Sequence, residues 1–400
     1  MKILHCIPSM AGGGAERQLA YLAGGLVSLG VETHVALIRK GENYERLLQS
    51  GAVVHDLRIS NNHSPALLFN LHRLIRKIRP AVIQTWLTQM DIVGGTAALW
   101  NRVPWILTER NSAQHYGRGV KDRLRVWLGS RASALVANSA TGVAYWEPHL
   151  RTATPRLVIA NGVPVNEVAA AAELPLAESP ATGPEKLILF AGRFHPAKNI
   201  GGLIAALRIL RRQIPCKAVL CGQGPEQSAI EAQLASAGLA DVVTLKGYQT
   251  NLWSWMKRAD LFVSISFSEG RPNTVLEAMA ARCPLVVSDI PEHREFLDAT
   301  LGLLVDPTDP LTVSRALAEC LQNTEASRQR VNAAAQRAAQ WSIDGMSQQY
   351  LKLCYELSGP GAPSRSGQTP PPHSSFSPER KRASTHTTSP AAGTGIGLVR

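Results

Sequence analysis

The stretch from Leu261 to Ala280 reads LFVSISFSEGRPNTVLEAMA. Its apolar run up to Ser266 predicts a buried strand, residues 267–273 a loop, and the residues from Thr274 a helix. Ligands of parallel sheets bind beyond the carboxyl ends of the strands, which is where this loop falls. Asn273 is a good helix N-cap, and the free amides after it, with Thr274 and Val275, suit a phosphate. Gly270 lets the backbone approach a ligand closely, with Arg271 beside it. Glu277 falls in the first helical turn, where the dipole favours the carboxylate, and a carboxylate can accept both hydrogen bonds of a ribose diol. Glu269, on the loop, reaches toward sugar hydroxyls. The same residues can also be read as an ordinary strand–loop–helix corner with a capping acid.

Outward from this corner the pattern repeats. Strands are predicted at Leu187–Ala191, Lys217–Cys221, Val242–Leu245, Leu261–Ile265 and Leu285–Val287. Earlier ones fall at Lys2–Pro8, Thr33–Ile38, Val53–Leu57, Ala81–Thr85, Trp105–Thr108, Ala134–Ala137 and Arg156–Ile159. Helical patterns fill most of the gaps, so each half is an α/β unit with a parallel sheet. The turn at Asn161-Gly162 and the Ala/Glu/Pro stretch to Pro184 divide the chain into residues 1–165, a linker at 166–184, and residues 185–357. Ile343, Met346, Tyr350, Leu353 and Leu357 space a last helix. Beyond it, 26 of 43 residues are Ser, Thr, Pro or Gly, a composition expected to stay disordered.

Two more loops sit at strand ends. The strand ending at Ala191 is followed by Gly192-Arg193, with Lys198-Asn199 opening the next helix, and two cations there would clamp a diphosphate. Surface charge is the plainer reading of that pair alone. The first strand is followed by Gly12-Gly13-Gly14-Ala15-Glu16-Arg17. A dinucleotide fingerprint would need glycine where Arg17 stands, and the second strand ends in Arg39-Lys40 instead of a ribose-binding acid. A purely structural turn is the alternative there.

Taken together, two glutamates seven residues apart in EGRPNTVLEAMA and the Gly192-Arg193…Lys198-Asn199 element resemble glycosyltransferase family 4. The resemblance covers Met1 to about Leu357. It implies two Rossmann-like domains facing a central cleft (the GT-B fold), donor on the second and acceptor on the first, with the closing helix returning toward the first. It further implies that Arg193 and Lys198 hold the donor diphosphate and that Glu269 acts at the sugar. Gly12, Gly13 and Gly14 would lie near sugar and acceptor, and Tyr248 near the base, with a core or surface tyrosine the equal alternative there. Gly222-Gln223-Gly224-Pro225 matches a family turn that reads as structural. Glu109, Arg110, Asn111 and His115 are acceptor-side candidates, although many members hold a histidine about where Asn111 stands. Glu109 and Arg110 could equally pair with each other.

The formal charge is +12, and it is uneven: residues 1–165 carry 19 Lys/Arg against 9 Asp/Glu, whereas residues 166–357 carry 18 against 20. A basic first half points to an anionic partner. Arg73, Arg76, Lys77 and Arg79 form one basic helix face, and Arg118, Lys121, Arg123, Arg125 and Arg131 a second cluster. A solvated face is the plain reading, an anionic lipid surface the sharper one. No run of 18 apolar residues and no signal-like start is present, and the six cysteines form no C-x-x-C pair, so a cytoplasmic protein with reduced thiols is expected, peripheral on the membrane if the basic face binds lipid.

The expected reaction is transfer of a sugar from a UDP- or GDP-linked donor to a glycan acceptor. A polyprenyl-diphosphate carrier fits the basic half; a soluble sugar or sugar phosphate is the alternative. Retention of configuration follows from the resemblance alone. No D-x-D triplet is present, so no metal or other cofactor is expected. A nucleotide-sugar epimerase, a phosphorylase and a non-catalytic sugar binder are the rivals. No nucleic-acid-binding motif accompanies the basic charge.

Overall fold

The structure is a computed structural model and describes residues 1–57, 59, 65–110, 116, 117, 119–149, 154–181 and 183–359. Asn111, His115, Arg118 and the residues from 360 onward lie outside them.

The first sheet is built of β1 (Lys2–Ser9), β2 (Glu32–Arg39), β3 (Val53–Asp56), β4 (Val82–Trp86), β5 (Trp105–Glu109), β6 (Ala134–Ala137) and β7 (Arg156–Val158). Its helices are α1 (Gly14–Ser28), α2 (Tyr44–Gln49), α3 (Ala66–Ile78), α4 (Leu87–Asn101), α5 (Val120–Gly129), α6 (Ala140–Trp146) and α7 (Val165–Ala170). The second sheet has β8 (Lys186–Ala191), β9 (Cys216–Cys221), β10 (Val243–Lys246), β11 (Leu261–Ser264), β12 (Leu285–Ser288) and β13 (Leu303–Val305). With it go α8 (Ile200–Leu210), α9 (Gln227–Ser236), α10 (Leu252–Arg258), α11 (Asn273–Ala280) and α12 (Pro291–Arg294). Then follow α13 (Pro310–Gln322), α14 (Thr324–Ala338) and α15 (Ile343–Ser358).

Both sheets are parallel, in the orders β3-β2-β1-β4-β5-β6-β7 and β10-β9-β8-β11-β12-β13. Apolar side chains leave the central strands in both directions, as a sheet covered on two faces requires. In β1, Ile3 and Ile7 enter one core while Leu4 and Cys6 enter the other. In β8, Ile188 and Phe190 face one core while Leu187 and Leu189 face its counterpart.

The strand order reverses between β1 and β4 in one sheet and between β8 and β11 in the other. Crevices form at such switch points. The glycine loop follows β1, Arg193 and Lys198 follow β8, and Glu269 follows β11, so the topology alone delivers these loops to two switch points.

The closing helix returns to the first sheet: Met346, Tyr350, Leu353 and Leu357 of α15 join the core of Ile3 and Leu19. Gly25 of α1 allows this approach, since a Cβ there would stand 2.0 Å from Ser347 Oγ. The expected linker is not a bare connection. Residues 166–184 include most of α7, and Val168, Leu174 and Ala181 pack into the core beneath α11.

Candidate active site

The second-sheet edge brings Lys198 and Glu269 together, with Nζ to Oε1 at 2.6 Å. The hydroxyl of Ser266 donates to the same carboxylate oxygen at 2.6 Å. Burial would raise the Glu269 carboxyl; the Lys198 charge and the two hydrogen bonds outweigh it and hold it below its ordinary value. Arg193 is exposed at this edge. Its loop is shaped by Gly222, whose φ is +148° and whose Cβ would stand 1.9 Å from Gly192 O. The 222–225 turn therefore serves the backbone of the Arg193 loop.

Glu277 projects from α11 toward the first domain. Its Oε2 accepts from Trp253 Nε1 at 3.2 Å. Its Oε1 lies 3.1 Å from Arg17 Nη2 without hydrogen-bond alignment, so this buried oxygen makes no hydrogen bond. Burial raises the Glu277 carboxyl, with Arg17 opposing. This corrects the expectation that the helix dipole keeps the group ionised: Glu277 is the fifth residue of α11, past its first turn, and desolvation dominates.

Asn273 is not the N-cap. Pro272 occupies that position without a side-chain bond, and Asn273 is the first helical residue. Its amide instead crosses between domains, donating to Gly14 O at 3.1 Å and accepting from Asn161 Nδ2 at 2.7 Å and Gln18 Nε2 at 3.3 Å. The amides of Asn273, Thr274 and Val275 begin the helix and have no intrahelical acceptor. Gly270 lies beside Glu269 on the loop.

The glycine loop faces this edge. A Cβ on Gly12 would meet the Tyr248 ring at 2.9 Å, and one on Gly14 would meet Asn273 Nδ2 at 2.8 Å. A Cβ on Gly13 would collide with the Glu16 carboxylate. Glycine at these positions leaves room for the Tyr248 ring, the Glu16 carboxylate and the Asn273 amide.

Four further residues singled out in the sequence are buried. The Arg271 guanidinium lies against the rings of Trp341 (4.7 Å) and Phe296 (5.1 Å), where burial lowers its pKa to about 10; it does not join the Lys198–Glu269 pair. Glu109 is fully buried, accepting from Arg125 Nη1 (2.9 Å), Trp146 Nε1 (3.0 Å) and Tyr116 Oη (2.5 Å). Arg110 stacks on Trp86 and donates to Asn161 Oδ1 and Tyr350 Oη, both at 2.9 Å, tying the end of β5 to the Asn161-Gly162 turn and α15. Neither side chain presents itself to a ligand, and they do not pair with each other. Arg125, read as surface charge, is 1% exposed.

A model described as glycosyltransferase family 4 matches residues 12–167, and one described as glycosyl transferases group 1 matches residues 176–337. The chain belongs to the group 1, family 4-like glycosyltransferases. The lipopolysaccharide core biosynthesis glycosyltransferase LpsD of Rhizobium meliloti is 27% identical, over 88% of this chain and 98% of its own. A Campylobacter jejuni α-1,4-N-acetyl-D-galactosaminyltransferase, named for a diphospho-undecaprenol-linked acceptor, is 24% identical, over 89% of this chain and 99% of its own. Anabaena HepE, crystallised with UDP and glucose, superposes with a TM-score of 0.79 at 21% identity, covering 88% of this chain and 99% of that one. That likeness carries the GT-B fold.

Sequence reasoning missed Arg17, Gln18, Asn161 and Trp253 as parts of the cleft. Arg17 registered only as the residue that breaks a dinucleotide fingerprint, and Asn161 only as a turn.

Proposed function

We propose that this glycosyltransferase retains anomeric configuration and moves a sugar from a nucleotide-sugar donor to a lipid-linked glycan. The observation that carries the reading is the meeting of the two switch-point edges: Lys198 and Glu269 on one side, with Gly12–Gly14 packed against Tyr248 and Asn273 from the other.

Negative charge grows on the departing diphosphate as the glycosidic bond breaks. Arg193 and Lys198, with the first amides of α11, stabilise that charge without help from a metal ion. Glu277 Oε1, buried and ion-paired with Arg17 but without a hydrogen bond, is suited to a ribose hydroxyl. Glu269 accepts from sugar hydroxyls as the ring flattens. Lys198 must turn from Glu269 toward the phosphate, or bridge both. With no enzymatic nucleophile assigned, the acceptor attacks from the face of the leaving phosphate, which accounts for retention. HepE was crystallised with UDP-glucose as well, which supports a nucleotide-sugar donor.

The acceptor reading rests on the outer layer of α3, α4 and α5. Phe69, Trp100 and Trp127 are each more than half exposed there, beside Arg73, Arg76, Arg79, Lys121, Arg123 and Arg131. Aromatic rings among basic side chains suit an anionic headgroup layer, with each cation adding about 1 kcal/mol near such a surface. No helix of the described residues is long and apolar enough to cross a membrane. The LpsD and Campylobacter relatives support cell-surface polysaccharide assembly.

Incubation with radiolabelled UDP- and GDP-sugars, each alone, is expected to show slow hydrolysis of one donor. No hydrolysis and no binding of any would overturn the donor reading. In flotation, the protein should rise with anionic vesicles at low salt, release as salt increases, and bind less after Arg73→Glu with Arg76→Glu. No flotation at any salt, with full activity on a soluble sugar, would remove the lipid-linked acceptor.

A further inference from the structure

His293, on α12 after β12, is wholly buried. Strand β12 lies beside β11, so α12 starts at the sheet edge that carries the Glu269 loop. Nδ1 of His293 lies 2.7 Å from the carbonyl oxygen of Ser288 and 3.1 Å from its hydroxyl. A carbonyl oxygen only accepts, so Nδ1 carries the proton. Burial lowers the ring's pKa, with the Glu269 carboxylate and the Lys198 ammonium acting on it in opposite senses. A neutral ring protonated on Nδ1 leaves Nε2 as a bare acceptor. Nε2 is buried and has no hydrogen-bond partner among the described residues.

We infer that His293 is a specificity-determining residue whose Nε2 accepts a hydrogen bond from one hydroxyl of the donor sugar. The inference deepens the donor reading above and rests on it. A buried acceptor without a donor is costly, and a ligand that supplies the donor recovers that cost. The Glu269 carboxylate, close enough to act on the ring electrostatically, is also an acceptor, so the two groups together favour a ligand rich in O–H groups. A sugar ring meets that demand; the phosphates, which accept, fit the Arg193–Lys198 side instead. A site that bonds a hydroxyl rejects the analogue lacking it, so His293 would discriminate between donors that differ at one ring position.

Two variants separate the ring nitrogens. In His293→Asn the amide can keep the Ser288 contact but cannot reach the Nε2 position; in His293→Gln it can reach that position. The probes are UDP, GDP and the nucleotide sugar that wild-type protein hydrolyses, with its monodeoxy analogues. For His293→Asn we expect donor kcat/KM to fall about tenfold or more while nucleoside-diphosphate affinity stays within about twofold, with Gln recovering part of the loss. On one monodeoxy donor, wild type and His293→Asn should become equal. The nitrogen-15 spectrum of wild-type protein needs no variant: Nε2 should be unprotonated and shift with the nucleotide sugar but not with nucleoside diphosphate alone. Equal losses on every deoxy donor, nucleoside-diphosphate binding that falls with activity, or an Nε2 signal indifferent to donor would overturn the inference and leave the donor reading intact. A wild-type protein that binds no nucleotide sugar would overturn both.

Discussion

Two buried carboxylate–cation networks sit at strand ends of this molecule, and they differ in what is left over. In the first domain, Glu109 and Asp91 share Arg125, at 2.9 and 2.7 Å. Trp146, Tyr116 and the Arg110 amide fill the rest of Glu109, and Thr85 takes the other oxygen of Asp91. In the second domain and across the cleft, Lys198–Glu269 is partly accessible, and Glu277 keeps a buried oxygen with no hydrogen bond. Both regions read alike as an acid near a cation after a strand. The first network satisfies itself; the second leaves capacity that the proposed donor would use.

The largest expected effect falls on the scaffold. Arg125→Ala strands two buried carboxylates and should cost about 3–5 kcal/mol of stability, read by urea denaturation, while protein that remains folded still binds nucleotide. A small stability loss would break the contrast. Next comes the leaving group: Lys198→Ala or Arg193→Ala should lower turnover about 10²-fold or more with little change in melting temperature. Chelation of divalent ions should change little, and strict dependence on one would reassign the diphosphate charge.

Smaller effects separate the two acids of the loop and helix. Glu277→Ala should mainly raise donor KM, because a ribose contact exists in ground and transition states alike, whereas Glu269→Ala should lower kcat. Wild-type kinetics in both variants would remove the assignment. The acids also differ in pH response. Glu277 is raised above its ordinary value, so it protonates first as pH falls, while Glu269 is lowered and stays ionised further down. Donor affinity should therefore weaken on the acid side before turnover does, and Glu277→Gln should abolish that early limb. A profile unchanged by Glu277→Gln would contradict it.

How much of this was legible depends on range along the chain. Strand–helix alternation is local, and it yielded twelve of the thirteen strands among the described residues; β13, the three-residue edge strand Leu303–Val305, escaped. The Glu269–Glu277 corner and the Arg193–Lys198 loop were legible because each follows directly on a strand end in the sequence. The burial of Glu109 was not, since its partner Arg125 comes from α5 and is shared with Asp91 of α4. Nor was the bridge from Asn273 to Gly14 and Asn161, where the local N-cap preference gave way to a partner in the other domain.

The central claim is that the cleft's unsatisfied network binds the donor and the satisfied one does not. Calorimetric titration of UDP and GDP into wild type, Lys198→Ala and Glu109→Gln tests it, at a temperature where all three are folded. One nucleotide should bind wild type, lose about tenfold or more in affinity with Lys198→Ala, and bind Glu109→Gln as it binds wild type. Affinity indifferent to Lys198, or lost on changing Glu109 in folded protein, would contradict the account.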